Sequence, residues 1–245
     1  MQRDDMVVGV IGGMGPYATL SFFKCLLDNT PSKKDRDHLH VIIDNNPKIP
    51  SRTRAFLFNK DDPVPAIVKS ANSLKFAGAD FLVMPCNSAH YFLERVREQV
   101  DIPFINMIEK TCREVLILGP KSVGVLAGEV TVKGRLYEQF LEKYGIKVLQ
   151  VSDKEQVTVR NIIEEVKNNS VTSNTRKHFQ ELLGILEEMG ADVIVLGCTE
   201  LPFVVEGIST SLPIVDSAEA LAKAVVRNAK RFSECIEIGV TQLNL

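Results

Sequence analysis

Two cysteines, Cys86 and Cys198, stand at the ends of two apolar segments that share one frame. Gly78-Ala79-Asp80 precedes the first segment and Gly190-Ala191-Asp192 precedes the second, so each cysteine lies eight positions after the glycine (78 to 86 and 190 to 198). Each segment reads as a buried strand, and the carboxyl end of a parallel strand lies near the N-terminus of the next helix. Such a position lowers the pKa of a thiol from its free value of about 8.5. Both cysteines are therefore candidate acid and base groups.

Two thiols in equivalent places favour a nearly symmetric proton transfer. A hydrolase needs one nucleophilic cysteine with a histidine base, whereas racemisation uses one thiolate to remove a proton and an opposed thiol to deliver one. Asn87-Ser88 and Thr199 place hydrogen-bonding groups beside the cysteines, which suits a carboxylate or an enolate-like intermediate. The alternative is that both cysteines are small hydrophobic residues that end buried strands.

His90 lies four residues after Cys86, on the same face of a predicted helix. The pair is compatible with a metal site or with a nucleophile and its base, but no further cluster of metal-ligating residues accompanies it. We therefore expect His90 to pack or to hydrogen-bond behind Cys86, and we predict no metal.

A glycine-rich loop, Gly12-Gly13-Met14-Gly15, follows the first predicted strand and precedes a helix. Pro16 suits the first helical turn, and the glycines allow a ligand to approach backbone N–H groups. Gly13-x-Gly15-x-x-Ala18 also matches a shortened dinucleotide fingerprint, with Asp44 as a candidate ribose ligand. So short a motif arises at any turn from strand to helix, and we predict no cofactor.

A polar loop with two prolines follows the second predicted strand, at residues 45–53. Such a loop lies beyond the carboxyl end of a strand, where open α/β sheets bind ligands. Arg52 in this loop is either a bidentate clamp for a carboxylate or a solvated surface arginine.

Strands alternate with helices along the chain, which is typical of parallel sheets. The predicted strands cover residues 6–11, 40–44, 101–106, 122–128, 147–151 and 212–216, together with the segments that end at the two cysteines. The predicted helices cover residues 17–27, 65–77, 88–100, 108–116, 133–144, 159–168, 175–189 and 218–232.

Three landmarks recur in the same order in the second half of the chain. Gly9 recurs as Gly124 at an offset of 115, the two cysteines are 112 positions apart, and Pro103 recurs as Pro213 at an offset of 110. The nearly steady offset predicts an internal duplication.

These patterns predict an α/β protein of two similar doubly wound parallel-sheet domains, with the active site in the cleft between them. We expect residues 1–116 and 217–245 to form the first domain, with the C-terminal helix crossing back. Residues 117–216 are expected to form the second domain.

The bulk properties of the 245-residue chain exclude several classes. A net charge near −2 and a sequence pI near 6.1 indicate neither a nucleic acid nor a membrane as a partner. No apolar run reaches the roughly 20 residues that span a bilayer, and the N-terminus leads into a strand, so we expect a cytoplasmic protein.

The chain has an odd number of cysteines and no CxxC motif, so we expect the cysteines to be reduced thiols. They are Cys25, Cys86, Cys112, Cys198 and Cys235.

Three motifs stand at predicted strand ends: Gly12-Gly13-Met14-Gly15-Pro16, Met84-Pro85-Cys86-Asn87-Ser88-Ala89-His90 and Gly197-Cys198-Thr199-Glu200-Leu201-Pro202. Together they resemble the aspartate/glutamate racemase superfamily that works without pyridoxal phosphate (PLP), and its aspartate racemase branch in particular. The resemblance covers essentially the whole chain. It implies two α/β domains around a cleft, two cysteines as opposed acid and base, no cofactor or metal, and a homodimer.

The resemblance also implies roles for individual residues. Cys86 and Cys198 match the catalytic pair. Arg52 falls in the loop Asn46-Pro47-Lys48-Ile49-Pro50-Ser51-Arg52-Thr53, which implies binding of a substrate carboxylate, and Lys167 falls where the family has a second carboxylate-binding cation. The other pocket positions are Met14, Asn87, Ser88, Thr131, Thr199 and Glu200.

The chain departs from the family pattern at a few positions. Ser88 replaces a threonine but keeps the hydroxyl, and Ala127-Gly128-Glu129-Val130-Thr131 keeps only the last threonine of a glycine-threonine turn. Gly12-Gly13 and Glu200 stand where glutamate racemases have Asp-Ser and His, which disfavours that branch.

We therefore expect a cofactor-independent racemase that acts on a dicarboxylic amino acid, aspartate above all. The alternatives within the same chemistry are a glutamate or a broad-specificity amino-acid racemase. The alternatives outside it are a decarboxylase or cis-trans isomerase with the same cleft, and a non-enzymatic two-lobed amino-acid-binding protein.

Overall fold

The structure is a computed structural model that describes the backbone of residues 6–238 and the side chains of residues 6–230. The side chain of Cys235, which we expect to be a reduced thiol, lies outside the described residues. The same holds for residues 1–5 and 239–245 of the first predicted domain.

The first half of the chain begins with a strand and ends with a helix. Its strands are β1 (Val8–Gly12), β2 (Val41–Asn45) and β3 (Phe81–Val83). Its helices are α1 (Pro16–Asn29), α2 (Arg52–Phe58), α3 (Val64–Phe76), α4 (Leu93–Arg97) and α5 (Met107–Leu118), with 3-10 helices at Asp35–Asp37 and Asn87–Phe92.

The second half repeats this alternation. Its strands are β4 (Ser122–Ala127), β5 (Lys147–Leu149), β6 (Val193–Gly197) and β7 (Ile214–Asp216). Its helices are α6 (Glu129–Lys133), α7 (Glu138–Leu141), α8 (Asp153–Lys167), α9 (Ser173–Glu188) and α10 (Ser217–Ile238), with 3-10 helices at Glu142–Tyr144 and Leu201–Val204.

The strands form two parallel sheets, with the order β2-β1-β3 in the first and β5-β4-β6-β7 in the second. In the first sheet, Phe104 pairs with Leu82 through a single parallel bridge, at the place that β7 occupies beside β6. The two sheets therefore share one strand order, and the prediction of an α/β fold with two parallel sheets is confirmed. The internal duplication stays a prediction.

Each sheet lies between two layers of helices, because its strands are apolar on both faces. In the first sheet, Leu82 belongs to a core with Ile67 of α3, whereas Val8 belongs to a second core with Phe22 of α1. Leu221 of α10 lies in that second core. The last helix therefore follows a strand of the second sheet but packs on the first.

Helix α5 contributes residues to the cores of both halves. Met107, at its start, belongs to the core that contains β1 and α1, whereas Cys112 and Val115 belong to the core beneath β4 and β6. Helices α5 and α10 also pack against each other. The division into residues 1–116 with 217–245 and residues 117–216 stays a prediction.

Two predicted helices differ from the structure. The prediction of one helix over 133–144 is wrong, because α6 ends at Lys133 and Arg135 has a φ of +52°, which no helix continues. The prediction over 88–100 is wrong in its first turns, which form a 3-10 helix. The carbonyl of Cys86 accepts from Ala89 N and from His90 Nδ1, so it does not form an α-helical bond.

Two further segments depart from expectation. The predicted strand at 101–106 is reduced to the single bridge at Phe104, because Asn106 already caps α5 by accepting from Glu109 N. The loop at 45–53 ends in α2, which was not predicted. Ser51 caps that helix by accepting from Arg54 N, and this serine is the local signal that could have revealed it.

None of the helices in the described part of the chain combines the length and the apolar character that crossing a bilayer requires.

Candidate active site

The two cysteines line one cleft, which has a volume of about 300 Å³. Its walls come from the loops after β1, β3, β4 and β6 and from helices α2 and α8. The lining residues are Met14, Ser51, Arg52, Thr53, Arg54, Cys86, Asn87, Ser88, Gly128, Glu129, Arg160, Ile163, Glu164, Lys167, Cys198, Thr199 and Glu200. The structure thus brings together every predicted site residue except Thr131.

The two halves approach each other closely across this cleft. A methyl group built on Gly15 would lie 3.7 Å from Glu200 Oε1, and one built on Gly128 would lie 3.7 Å from Ser88 Oγ. The loops of the first half therefore face those of the second, as expected for a site between two sheets whose strands end at the same place.

Cys86 is buried at the start of the 3-10 helix after β3, and His90 holds its backbone. His90 Nε2 accepts from Met107 N at 3.0 Å, so the ring proton is on Nδ1, which donates to the Cys86 carbonyl at 2.9 Å. Burial lowers the pKa of His90 to about 4, so the imidazole is neutral. The prediction that His90 hydrogen-bonds behind Cys86 is confirmed.

Asn87 lines the cleft, and protein groups engage both ends of its side-chain amide. Its Oδ1 accepts from Tyr137 OH at 2.6 Å, and its Nδ2 donates to Ser217 Oγ at 3.0 Å. The amide is therefore held in one orientation before any ligand arrives.

Cys198 follows β6, and its thiol donates to Glu200 Oε2 at 3.0 Å. The hydroxyl of Thr199 donates to the same oxygen at 3.2 Å. Burial and the negative charge of Glu200 raise the pKa of Cys198 well above its usual value, while the charge of Lys167 opposes them. The resting group is therefore a thiol.

The expectation of a lowered pKa at Cys198 is wrong. The helix that follows Cys198 is a short 3-10 helix, Leu201–Val204, whose dipole is small. The buried carboxylate of Glu200 accepts the hydrogen bond of this thiol and disfavours the thiolate.

Arg52 is the first residue of α2 and points one edge of its guanidinium into its own loop. Its Nη1 donates to the carbonyls of Ile49 (3.3 Å) and Pro50 (3.0 Å), while its buried Nε has no hydrogen-bond partner among the described residues. The side chain is thus held in place with donor capacity left for a carboxylate.

Lys167 closes α8 at the rim of the cleft, and its Nζ lies 2.8 Å from Glu164 Oε1. Burial on its own would lower the pKa of Lys167, but its hydrogen bond to Glu164 and the negative charge of Glu200 raise the pKa on balance. Lys167 is therefore a cation beside the two acidic groups.

Comparison with known proteins shows the family of the chain. Residues 11–225 match the family described as Asp/Glu/Hydantoin racemase. The chain belongs to this family. It is accordingly an amino-acid racemase, an isomerase, as the resemblance implied.

Several individual racemases are similar over most of the chain. The broad specificity amino-acid racemase RacX of Bacillus subtilis (strain 168) is 30% identical over 224 residues, which cover 90% of this chain and 96% of that protein. The solved structure of Picrophilus torridus aspartate racemase has a TM-score of 0.81 and 32% identity, and the match covers 94% of this chain and 98% of that one. The glutamate racemase of Aquifex pyrophilus is 29% identical over 188 residues, 74% of this chain and 70% of that protein.

The racemase has a second ion pair in its cleft that was not predicted. Arg160 Nη1 lies 3.0 Å from Glu129 Oε1 and thereby links α8 to α6. Arg160, Glu164 and Lys167 follow one another at helical spacing on α8, and this periodicity is the signal that could have revealed Arg160. The lining contains four cationic side chains and three carboxylates.

Thr131 of the racemase lies behind the cleft and does not line it. This threonine is buried in α6, and its hydroxyl has no hydrogen-bond partner among the described residues.

Contacts within the chain account for the glycines in the loop after β1 of the racemase. Gly13 N donates to Thr19 Oγ1 at 2.9 Å, and Gly13 has a φ of +87°. A Cβ on Gly13 would lie 2.3 Å from the backbone of Asn46, so only glycine allows this contact between the loops after β1 and β2. Packing of these loops thus accounts for a glycine that also fits a dinucleotide fingerprint.

Proposed function

We propose that the chain is a PLP-independent racemase that interconverts L-aspartate and D-aspartate by proton transfer between Cys86 and Cys198. The observation that supports this proposal is the entry of one thiol from each sheet into a single cleft that also contains Arg52 and Lys167. Family membership favours this reaction over a decarboxylase, a cis-trans isomerase or a binding protein.

The resting hydrogen bond from Cys198 to Glu200 assigns the starting roles. Cys198 carries its proton in this form of the enzyme, so Cys86 acts as the base once its own thiol has lost a proton to solvent. The Cα–H bond breaks as an S–H bond forms at Cys86, and the S–H bond of Cys198 breaks as its proton reaches the opposite face of Cα. The product leaves a thiol at Cys86 and a thiolate at Cys198, which is the form that accepts the other enantiomer.

Charge that develops on the substrate needs stabilisation during this transfer. Removal of the α-proton places negative charge on the substrate carboxylate, and hydrogen-bond donors that are already in position stabilise such charge most effectively. Arg52 and the groups of Ser88 and Thr199 line the cleft and suit this role. Lys167 would hold the second carboxylate of aspartate.

Aspartate is favoured by the 32% identity to the Picrophilus torridus aspartate racemase over nearly the full length of both chains. A broad substrate range is the second candidate. The similarity to RacX supports this broad range. The pairing of Lys167 with Glu164 on the half-exposed rim also supports it, because an acidic substrate must compete with Glu164 for the Lys167 cation.

The test is incubation of the protein with L-aspartate in D₂O without PLP. Loss of the α-proton is followed by NMR, and D-aspartate is measured by chiral chromatography. Cys86→Ser and Cys198→Ser are each expected to lower the rate by at least about 100-fold, as loss of an acid or base does. Cys25→Ser, a change on α1 outside the cleft lining, serves as the control and keeps the wild-type rate.

Absence of exchange with aspartate, glutamate and a panel of other amino acids would contradict the racemase proposal. Exchange with many amino acids at similar rates would favour a broad-specificity racemase over an aspartate racemase. A serine variant at either catalytic position with an undiminished rate would overturn the two-thiol mechanism.

The homodimer and the cytoplasmic location also stay predictions. Light scattering of the purified protein tests the dimer, which would have twice the 27.2 kDa mass of the chain.

A further inference from the structure

A buried chain of hydrogen bonds connects the turn that carries Cys86 with the strand that leads to Cys198. We propose that Tyr137 is a positioning residue for racemisation and that, through Asn87 and Ser217, it sets the placement of the two thiols relative to each other. This inference rests on the proposed two-thiol reaction.

The chain has three links. Tyr137 OH donates to Asn87 Oδ1 at 2.6 Å, and Asn87 Nδ2 donates to Ser217 Oγ at 3.0 Å. Ser217 Oγ in turn donates to the carbonyl of Leu196 at 2.8 Å. Asn87 directly follows Cys86, and Leu196 lies two residues before Cys198.

The direction of every link follows from the one before it. The Leu196 carbonyl can only accept, so Ser217 donates its one proton there and must accept from Asn87. That places the NH₂ group of Asn87 toward Ser217 and its carbonyl oxygen toward Tyr137. Burial raises the pKa of Tyr137 well above its usual value, so the hydroxyl keeps the proton that it donates.

Water has almost no access to these groups. The exposed fraction is 1% for Tyr137, 3% for Asn87 and 0% for Ser217. Hydrogen bonds in such surroundings are strong, and a buried polar group that loses its partner costs free energy. The chain of hydrogen bonds therefore resists distortion.

The links join parts of the molecule that are distant in sequence. Asn87 belongs to the first half, Tyr137 and Leu196 belong to the second, and Ser217 begins the helix that returns to the first sheet. Among the residues whose side chains are described, Ser217 bridges Asn87 and the Leu196 carbonyl through its hydroxyl. The chain therefore ties the two thiol-bearing segments together from behind the cleft.

Proton transfer depends steeply on such placement. Each thiol must reach Cα on its own face at about 3–3.5 Å, and a displacement of about 1 Å can cost on the order of 100-fold in rate. Loss of the Tyr137 hydroxyl leaves Asn87 Oδ1 without its donor, so the turn after β3 can shift while the ring still fills the core.

The test compares Tyr137→Phe and Ser217→Ala with the wild type in D₂O, with L-aspartate as the probe. Two quantities are measured: deuterium that returns to L-aspartate and deuterium that emerges in D-aspartate. Displacement of one thiol slows delivery to the opposite face, so proton exchange without inversion becomes more frequent. We expect inversion to fall on the order of 10-fold to 100-fold, and the ratio of exchange to inversion to rise, in both variants.

The matched control is Thr30→Val, which removes another buried hydroxyl, the donor to the Leu26 carbonyl at the end of α1. It is expected to lower stability without any change in the ratio of exchange to inversion. The double variant Tyr137→Phe/Ser217→Ala is expected to be less impaired than the two single effects combined, because both act through Asn87.

The outcomes separate the two proposals. A wild type that exchanges and inverts no amino acid overturns the proposed function. A wild type that racemises while both variants keep its ratio of exchange to inversion overturns the positioning role and leaves racemisation intact. If Tyr137→Phe does not fold, Ser217→Ala alone decides by the same ratio.

Discussion

Cys198 Sγ donates a hydrogen bond of 3.0 Å to Glu200 Oε2, whereas the interaction behind Cys86 involves its backbone carbonyl and the neutral ring of His90. Two cysteines with equivalent places in the sequence therefore have different surroundings. A carboxylate faces one thiol directly, and it keeps the proton on Cys198 at rest.

Glu200→Gln is expected to lower the pKa of Cys198. The carboxylate raises this pKa through its negative charge and its hydrogen bond; a neutral amide removes the charge and has an N–H that can donate to the thiolate, so the thiolate forms at lower pH. The measurement is the pH dependence of alkylation of Cys198 by iodoacetamide, followed by mass spectrometry of its peptide.

Glu129→Gln is the matched control for Glu200→Gln, because Glu129 lines the same cleft but pairs with Arg160. Its alkylation curve is expected to follow that of the wild type. A midpoint for Glu200→Gln that stays in place or moves to higher pH would refute the assigned role of the carboxylate.

Arg52→Ala is expected to raise KM for aspartate on the order of 10-fold to 100-fold, since a hydrogen bond to a charged group contributes about 1.5–3 kcal/mol. Steady-state kinetics in both directions measure this change. Arg113→Ala removes an arginine of α5 whose partner is Glu109, away from the cleft lining, and should leave KM as it is. An unchanged KM in Arg52→Ala would show that Arg52 does not hold the substrate.

Lys167→Met tests whether this cation selects for an acidic side chain. We expect kcat/KM to fall about 10-fold for aspartate, through loss of a charged hydrogen bond, and to change little for alanine. Lys177→Met is the control, because Lys177 pairs with Glu181 on α9 just as Lys167 pairs with Glu164 on α8. Equal losses for aspartate and alanine would exclude a role of Lys167 in selectivity.

His90 is expected to make the protein less stable as the pH falls below about 6.5. Its folded-state pKa is about 4, below the unfolded value of 6.5, so protons bind preferentially to the unfolded chain between these values. Stability is therefore complete above pH 6.5, and roughly 3 kcal/mol is lost as the pH falls to about 4. Urea unfolding between pH 7 and pH 5 measures the first part of this loss.

The comparison for this pH effect is His90→Asn. Asparagine retains a donor for the Cys86 carbonyl but does not titrate, so its stability should fall less steeply over the same pH range. Identical slopes for the wild type and His90→Asn would show that another group causes the pH dependence.

Much of the fold was predictable because the signals are local. Continuous apolar runs marked β1 and β6 as buried parallel strands, and the glycines and prolines marked where the strands end. The position of His90 one helical turn after Cys86 was enough to place the ring behind that residue. The family resemblance favoured the carboxylate-binding interpretation of Arg52 and added Lys167, and both side chains line the cleft.

Other features depended on the direction in which individual side chains point. The contact of Glu200 with Cys198, the pairing of Arg160 with Glu129, and the link from Tyr137 to Asn87 each require a side chain from a particular direction. Spacing along the chain does not specify such directions, and the link from Tyr137 to Asn87 also requires the two halves to dock.

The sequence by itself determined that two cysteines end two equivalent strands of parallel sheets, because hydrophobic patterns and turn residues act over a few neighbouring positions. Only the tertiary structure decided that both thiols enter one cleft and that Cys198 donates to Glu200. It also decided that Tyr137, 50 residues beyond Asn87, ties the segments together. The physical reason is that burial and charge act through space, so the environment of a thiol depends on groups that only folding brings near it.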